Sequence, residues 1–154
     1  MSAEGVVTPD GLPAVYAPDR DAWRAWLQDN HAEQRGAWLV LYKKGSAVPS
    51  VTYEDAVEEA LAFGWIDSRA NKVDGARSVQ RFSRRKAKSA WSQSNKERVG
   101  RLLADGRMAP SGLAAVEEAK RNGAWDALAR IEETVRLAEN DVRANHYRQP
   151  KGSS

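Results

Sequence analysis

Hydrophobic spacing divides the chain into segments. Residues 1–18 hold three prolines and apolar patches without period, which predicts an irregular arm from which Val15 and Tyr16 can pack onto the domain. Regular spacing begins in "AWRAWLQDNH". There Trp23, Trp26 and Leu27 fall at i, i+3 and i+4, the pattern of a core-facing helix that Asp19 or Asp21 can cap. Gly36 breaks the pattern, and "AWLVLYKK" follows as an unbroken apolar run of β-formers, which predicts a buried strand. After the loop "KGSAVPS", Thr52 and Asp55 have the spacing of a capping box. Ala56, Val57, Ala60, Leu61 and Phe63 form the buried stripe of the helix they open, and Gly64 ends it.

The next two segments change period. "WIDSRANKV" and "SVQRFSRR" alternate, and the Asp-Gly step between them signals a hairpin, with Val79 and Arg81 on one side and Gln80 and Phe82 on the other. "RRKAKSAWS" is a basic loop. Ser92 or Ser94 caps a helix carrying Val99, Leu102 and Leu103, which Gly106 stops. Pro110 stands at a first-turn position of a helix ending at Gly123, one or two further helices follow, and "HYRQPKGSS" reads as a disordered polar tail. The expectation is an α+β fold: a small, mainly antiparallel sheet of about three strands with four to six helices around it. Residues 1–18 form the arm, 19–140 one domain and 141–154 the tail.

Composition narrows the class. Hydrophobic residues make up 42% and charged residues 29% of the 154, which is ordinary for a soluble globular domain. No apolar run approaches the roughly 20 residues of a membrane helix, so no membrane insertion is expected. With no secretory pattern at the N-terminus and no cysteine, disulfides and thiolate chemistry are excluded and a cytoplasmic location is expected.

Charge adds more. Residues 69–101 hold eleven Lys/Arg and two acids, a net of +9, while the remaining thirteen Lys/Arg and nineteen acids net −6. One segment is built to attract anions while the rest of the chain repels them. No Gly-rich phosphate loop accompanies it, so no cofactor is expected. The two histidines, without cysteines or paired carboxylates, leave no metal site to expect. His31 suits the C-terminal end of the first helix.

The candidate residues follow from that asymmetry. Trp65 and Asp67 share one face of a strand, Arg69 is expected to continue that face, and Arg81 or Phe82 approaches across the ladder. Arg84, Arg85 and Lys86 supply further donors, ending at Trp91 and Ser92, where a helix exposes free N–H groups. Lys44 adds a cation from another loop. Each has a plainer reading: Trp65, Phe82 and Trp91 as core, Asp67 as one half of a structural ion pair, Arg84 to Lys88 as a solvated loop.

The motifs Tyr42-Lys43-Lys44, Gly64-Trp65-Ile66-Asp67, Arg81-Phe82 and Trp91-Ser92, spread over roughly residues 20–128, resemble the YdeI/OmpD-associated family, also called the bacteriocin-protection or OmdA-like family. The resemblance implies a bacterial role in stress or antimicrobial-peptide tolerance, without an established chemistry. Three functions fit these residues. The first is capture of an anionic ligand (a nucleotide, or a phosphorylated or carboxylate small molecule) in a basic, aromatic-edged pocket. The second is a cofactor-free enzyme with Asp67 as acid or base and Tyr42 and Lys43 as proton donors. The third is an adaptor for an acidic protein, or a nucleic-acid binder.

Overall fold

The chain folds as α+β, with five helices and a four-stranded mixed sheet, in a computed structural model that describes residues 3–148 and the side chains of residues 3–141. The elements run β1 (Ala14–Tyr16), α1 (Arg20–Asn30), β2 (Gly36–Tyr42), α2 (Tyr53–Ala62), β3 (Trp65–Lys72), β4 (Arg77–Arg84), α3 (Gln93–Ala104), α4 (Pro110–Asn122) and α5 (Ala124–Arg148). The sheet order is β1-β2-β4-β3, parallel only between β1 and β2.

Local chemistry sets most boundaries. Asp19, Thr52 and Ser92 cap α1, α2 and α3, each side chain accepting from an N–H of the first turn. The Asp55 carboxylate does not complete a reciprocal capping box; it accepts from Arg20. Pro110 opens α4, and Gly123, at φ 87°, ends it. The hairpin loop is the four residues 73–76, organised by the Asp74 carboxylate, which accepts from the Ala76 and Arg77 N–H groups.

Three expectations change. The arm is not wholly irregular: residues 14–16 pair with Trp38, Leu39 and Val40 as the fourth strand. The last helical segment is one helix, which continues through the expected tail to Arg148; residues 149–154 lie outside the described residues. Finally, the β3–β4 register shifts between Asp67 and Ala70. The one extra residue of this bulge reverses the alternation, so Arg69 does not continue the face of Trp65 and Asp67.

The sheet is covered on both sides. On one, Ala37, Leu39, Trp65 and Phe82 pack against Trp23 and Leu27 of α1, the apolar side of α2, and Val99, Leu102 and Val116 of α3 and α4. Glu59, fully buried on α2, accepts from Arg20, Arg24 and Arg107 at 2.7–2.8 Å, tying α1 and the α3–α4 connection to α2. On the other side the arm lies over Trp38, Val40 and Val79. Asp10 pins it there, accepting from the Trp38 indole and from Arg81, both at 2.8 Å. Although burial opposes it, these bonds hold the Asp10 carboxyl down at about 2.

Candidate functional site

Where α1 ends and β3 begins, the sheet leaves a cleft of about 430 Å³. Its floor is Phe63, Gly64 and Trp65, at the α2–β3 junction. His31 and Ala32 border it at the end of α1, Arg84 and Arg85 at the end of β4, and Ser111, Ala114 and Ala115 along α4. None of these residues is acidic.

Backbone constraints shape the recess. Gly64 has φ +81°, and a Cβ there would stand 3.2 Å from the Ser111 carbonyl oxygen and 3.3 Å from the Ala115 Cβ. At Gly112 a Cβ would fall 2.1 Å from the Ala62 carbonyl oxygen, so only glycine lets α4 approach the end of α2 this closely. The Arg85 N–H donates to the Gly64 carbonyl at 3.0 Å, fixing where the basic loop leaves β4. Trp65 and Arg84 are register partners, so their side chains leave the sheet on the same face.

The cationic groups are held in different ways. Arg84 is exposed and donates through Nη2 to the Ala32 carbonyl, bridging β4 to the turn after α1. Arg85 is more enclosed: its guanidinium lies over the Trp91 ring, 3.9 Å from the centroid, and donates to the Ala90 carbonyl at 2.7 Å. Its Nε is buried without a partner, and among the described residues no carboxylate stands within ion-pair distance of it, although Glu118 lines a smaller hollow with it. Desolvation pushes Arg85 down to about 10, against the attraction of Asp67. His31 is the C-cap of α1; its Nδ1 is 2.7 Å from the Leu27 carbonyl, and its ring is 4.9 Å from Phe63. That engagement leaves Nε2 as the free ring nitrogen.

The other expected residues disperse. Phe82 and Trp91 are core side chains, and Ser92 caps α3. Lys86 is exposed beside that smaller hollow, which measures about 140 Å³ and shares Arg85 with the cleft. Arg69 lies over the Trp38 ring and Arg81 pairs with Asp10, both on the arm-covered side of the sheet. Tyr42 packs edge-on against Tyr16 there, while Lys43 and Lys44 are exposed in the following turn.

Asp67 lies outside the cleft lining. It shares Phe82's side of the sheet and accepts from the Tyr53 hydroxyl at 2.5 Å. Burial and this bond push the Tyr53 phenol up to about 12. The β2 residue in line with Asp67 and Phe82 is Ala37, five positions from Tyr42, a separation of about 17 Å along the strand. Tyr42 and Lys43 are therefore not brought to Asp67.

Sequence reasoning missed His31, Phe63 and Ser111 of the cleft and, outside it, the Asp67 partner Tyr53. His31 and Phe63 carry helix-end and core signals that account for them without a cleft. Ser111 and Tyr53 reach their partners only through the packing of α4 and α2. Among the described residues, no group of three or more acidic or histidine side chains could hold a metal ion, and no helix is long and apolar enough to cross a membrane.

A family model described as a domain of unknown function, DUF8412, matches residues 15–115. That span takes in every residue lining the cleft and leaves out most of the arm and all of α5. No curated protein and no solved structure matches the chain. None of this bears on the resemblance to the YdeI/OmpD-associated family.

Proposed function

We propose that this chain, which belongs to the DUF8412 family, binds a small anionic ligand in the cleft between α1, the β3–β4 strand ends and α4. The observation that carries this reading is the state of Arg85. It is a desolvated cation without an ion pair among the described residues, attracted by Asp67 only from beyond ion-pair distance, at the border of a recess whose lining holds a second arginine and no acid. A desolvated guanidinium without an ion pair is costly to the free protein, and a carboxylate or phosphate bound against its Nη groups would supply one. By contrast, Arg20, Arg24, Arg98 and Arg107 already have carboxylate partners.

A broad nucleic-acid face is less well supported, because Arg69 and Arg81 point to the arm-covered side of the sheet while Arg84 and Arg85 border the cleft. The resemblance to the YdeI/OmpD-associated family would place anion capture in bacterial stress tolerance, and the lack of cysteine fits a cytoplasmic setting. A second, catalytic reading draws on the short Tyr53–Asp67 bond, with Asp67 as the acid or base and Tyr53 in the donor role first sought in Tyr42.

Titration calorimetry with inorganic phosphate, AMP, acetate and 1-naphthoate tests the binding reading. At least one should bind, more weakly as salt rises from about 50 to about 300 mM, and Arg84→Gln should weaken it without lowering the unfolding midpoint. If none gives heat at millimolar concentration, the anion-binding proposal fails.

A further inference from the structure

Resting on that reading, we infer that the ligand is an amphiphilic organic anion: a single carboxylate head on a compact apolar body. Two features of the cleft point to this class. The first is where its polar groups lie. Arg84 and Arg85 are adjacent in sequence at one border, and the Ser111 hydroxyl already donates to the Phe63 carbonyl at 2.9 Å. The rest of the lining, apart from His31, is Ala32, Phe63, Gly64, Trp65, Ala114 and Ala115, whose side chains offer little to a sugar or a second phosphate.

The second feature is how much of each guanidinium is free. Arg84 donates one N–H to Ala32, and Arg85 is held between the Trp91 ring and the Ala90 carbonyl. The N–H groups that remain are confined to these two adjacent guanidiniums, at one border of the cleft. A polyphosphate would leave further charge against alanine and aromatic carbon, where nothing offsets its desolvation. A lone inorganic anion, for its part, would fill only a small share of about 430 Å³ and leave the accessible apolar lining at Ala32, Ala114 and Ala115 uncovered. Charge at one border and apolar surface across the remainder call for a ligand divided in the same way.

The test uses the whole chain and four probes: 1-naphthoate, its uncharged analogue 1-naphthylmethanol, acetate and inorganic phosphate. By calorimetry, 1-naphthoate should bind at least about tenfold more tightly than each of the others, a difference of about 1.4 kcal/mol. Two exposed positions dissect the effect without threatening the core. Arg84→Gln should bring naphthoate and naphthylmethanol closer in affinity, and Ala114→Glu should weaken naphthoate far more than naphthylmethanol. If phosphate binds as tightly as naphthoate and Arg84→Gln weakens it, the amphiphile is overturned while anion binding stands. Equal binding of naphthylmethanol and naphthoate would overturn both, since the cleft would then be merely apolar. Naphthoate binding unmoved by either substitution would also overturn the assignment, by placing the ligand elsewhere.

Discussion

The Tyr53 hydroxyl donates to Asp67 Oδ2 across 2.5 Å, fastening the first residue of α2 to the third residue of β3. The bond leaves Tyr53 half-exposed, so its ionisation is accessible to titration. Burial and the adjacent carboxylate both disfavour the phenolate, raising the group from 10.0 to about 12. Because the folded value lies above the unfolded one, the stabilisation is complete below about pH 10 and disappears as pH rises through about 12. Absorbance titration should show one of the four tyrosines ionising later than an ordinary phenol, and Asp67→Asn should move it back down. A Tyr53→Phe variant that leaves the high-pH tyrosine in place would contradict the assignment.

Glu59 is the acid whose loss should cost most. Its carboxylate is fully buried among Arg20, Arg24 and Arg107, and these charges hold it below the usual glutamate range despite burial. A neutral amide would leave Arg24 and Arg107 without a carboxylate partner among the described residues, and Arg20 with Asp55 and with Glu58, which Arg101 also engages. Removing one partner from a buried ionic group is destabilising by about 3–5 kcal/mol, and Glu59→Gln should lower stability by that order in urea unfolding. A loss below about 1 kcal/mol would mean that the arginines find water or other acceptors.

How far these features were legible in the sequence depends on how local they are. The α+β class, the three side-chain caps, the hairpin and the glycine at the end of α4 all follow from residues within one or two turns of each other. Arg69 shows where alternation stops being a guide: two residues of bulge, invisible in an otherwise regular strand pattern, carry it over to Trp38. Of the candidate cleft, the sequence pointed to only part of the lining. Trp65, Arg84 and Arg85 do border one recess, as their charge and aromatic company suggest. Its remaining walls come from α4, at Ser111, Ala114 and Ala115, and from the end of α1, at His31 and Ala32. Small residues of this kind announce only that a helix packs closely. That they border a cavity depends on where Gly64 and Gly112 let α4 settle, which is a property of tertiary packing. Likewise Asp10 looks like an ordinary loop acid until the arm lays it between Trp38 and Arg81.

Arg85 separates a structural role from a binding one. Replacing it with methionine removes the bond to the Ala90 carbonyl, worth about 1 kcal/mol, and the cation–π contact with Trp91, worth about 0.5–2 kcal/mol. The same change relieves the cost of a desolvated charge with an unpartnered Nε, and the thioether can take the guanidinium's place against the ring. These contributions oppose one another and are of similar size. Arg85→Met should therefore shift stability by less than about 1.5 kcal/mol in urea unfolding, while 1-naphthoate affinity falls about tenfold or more. A residue serving the fold alone would behave the other way: stability would drop by about 3 kcal/mol, and any ligand affinity left in the folded fraction would be unchanged. Measuring both quantities on one preparation decides between the two, because a binding loss confined to unfolded protein disappears when the folded fraction is used as the active concentration.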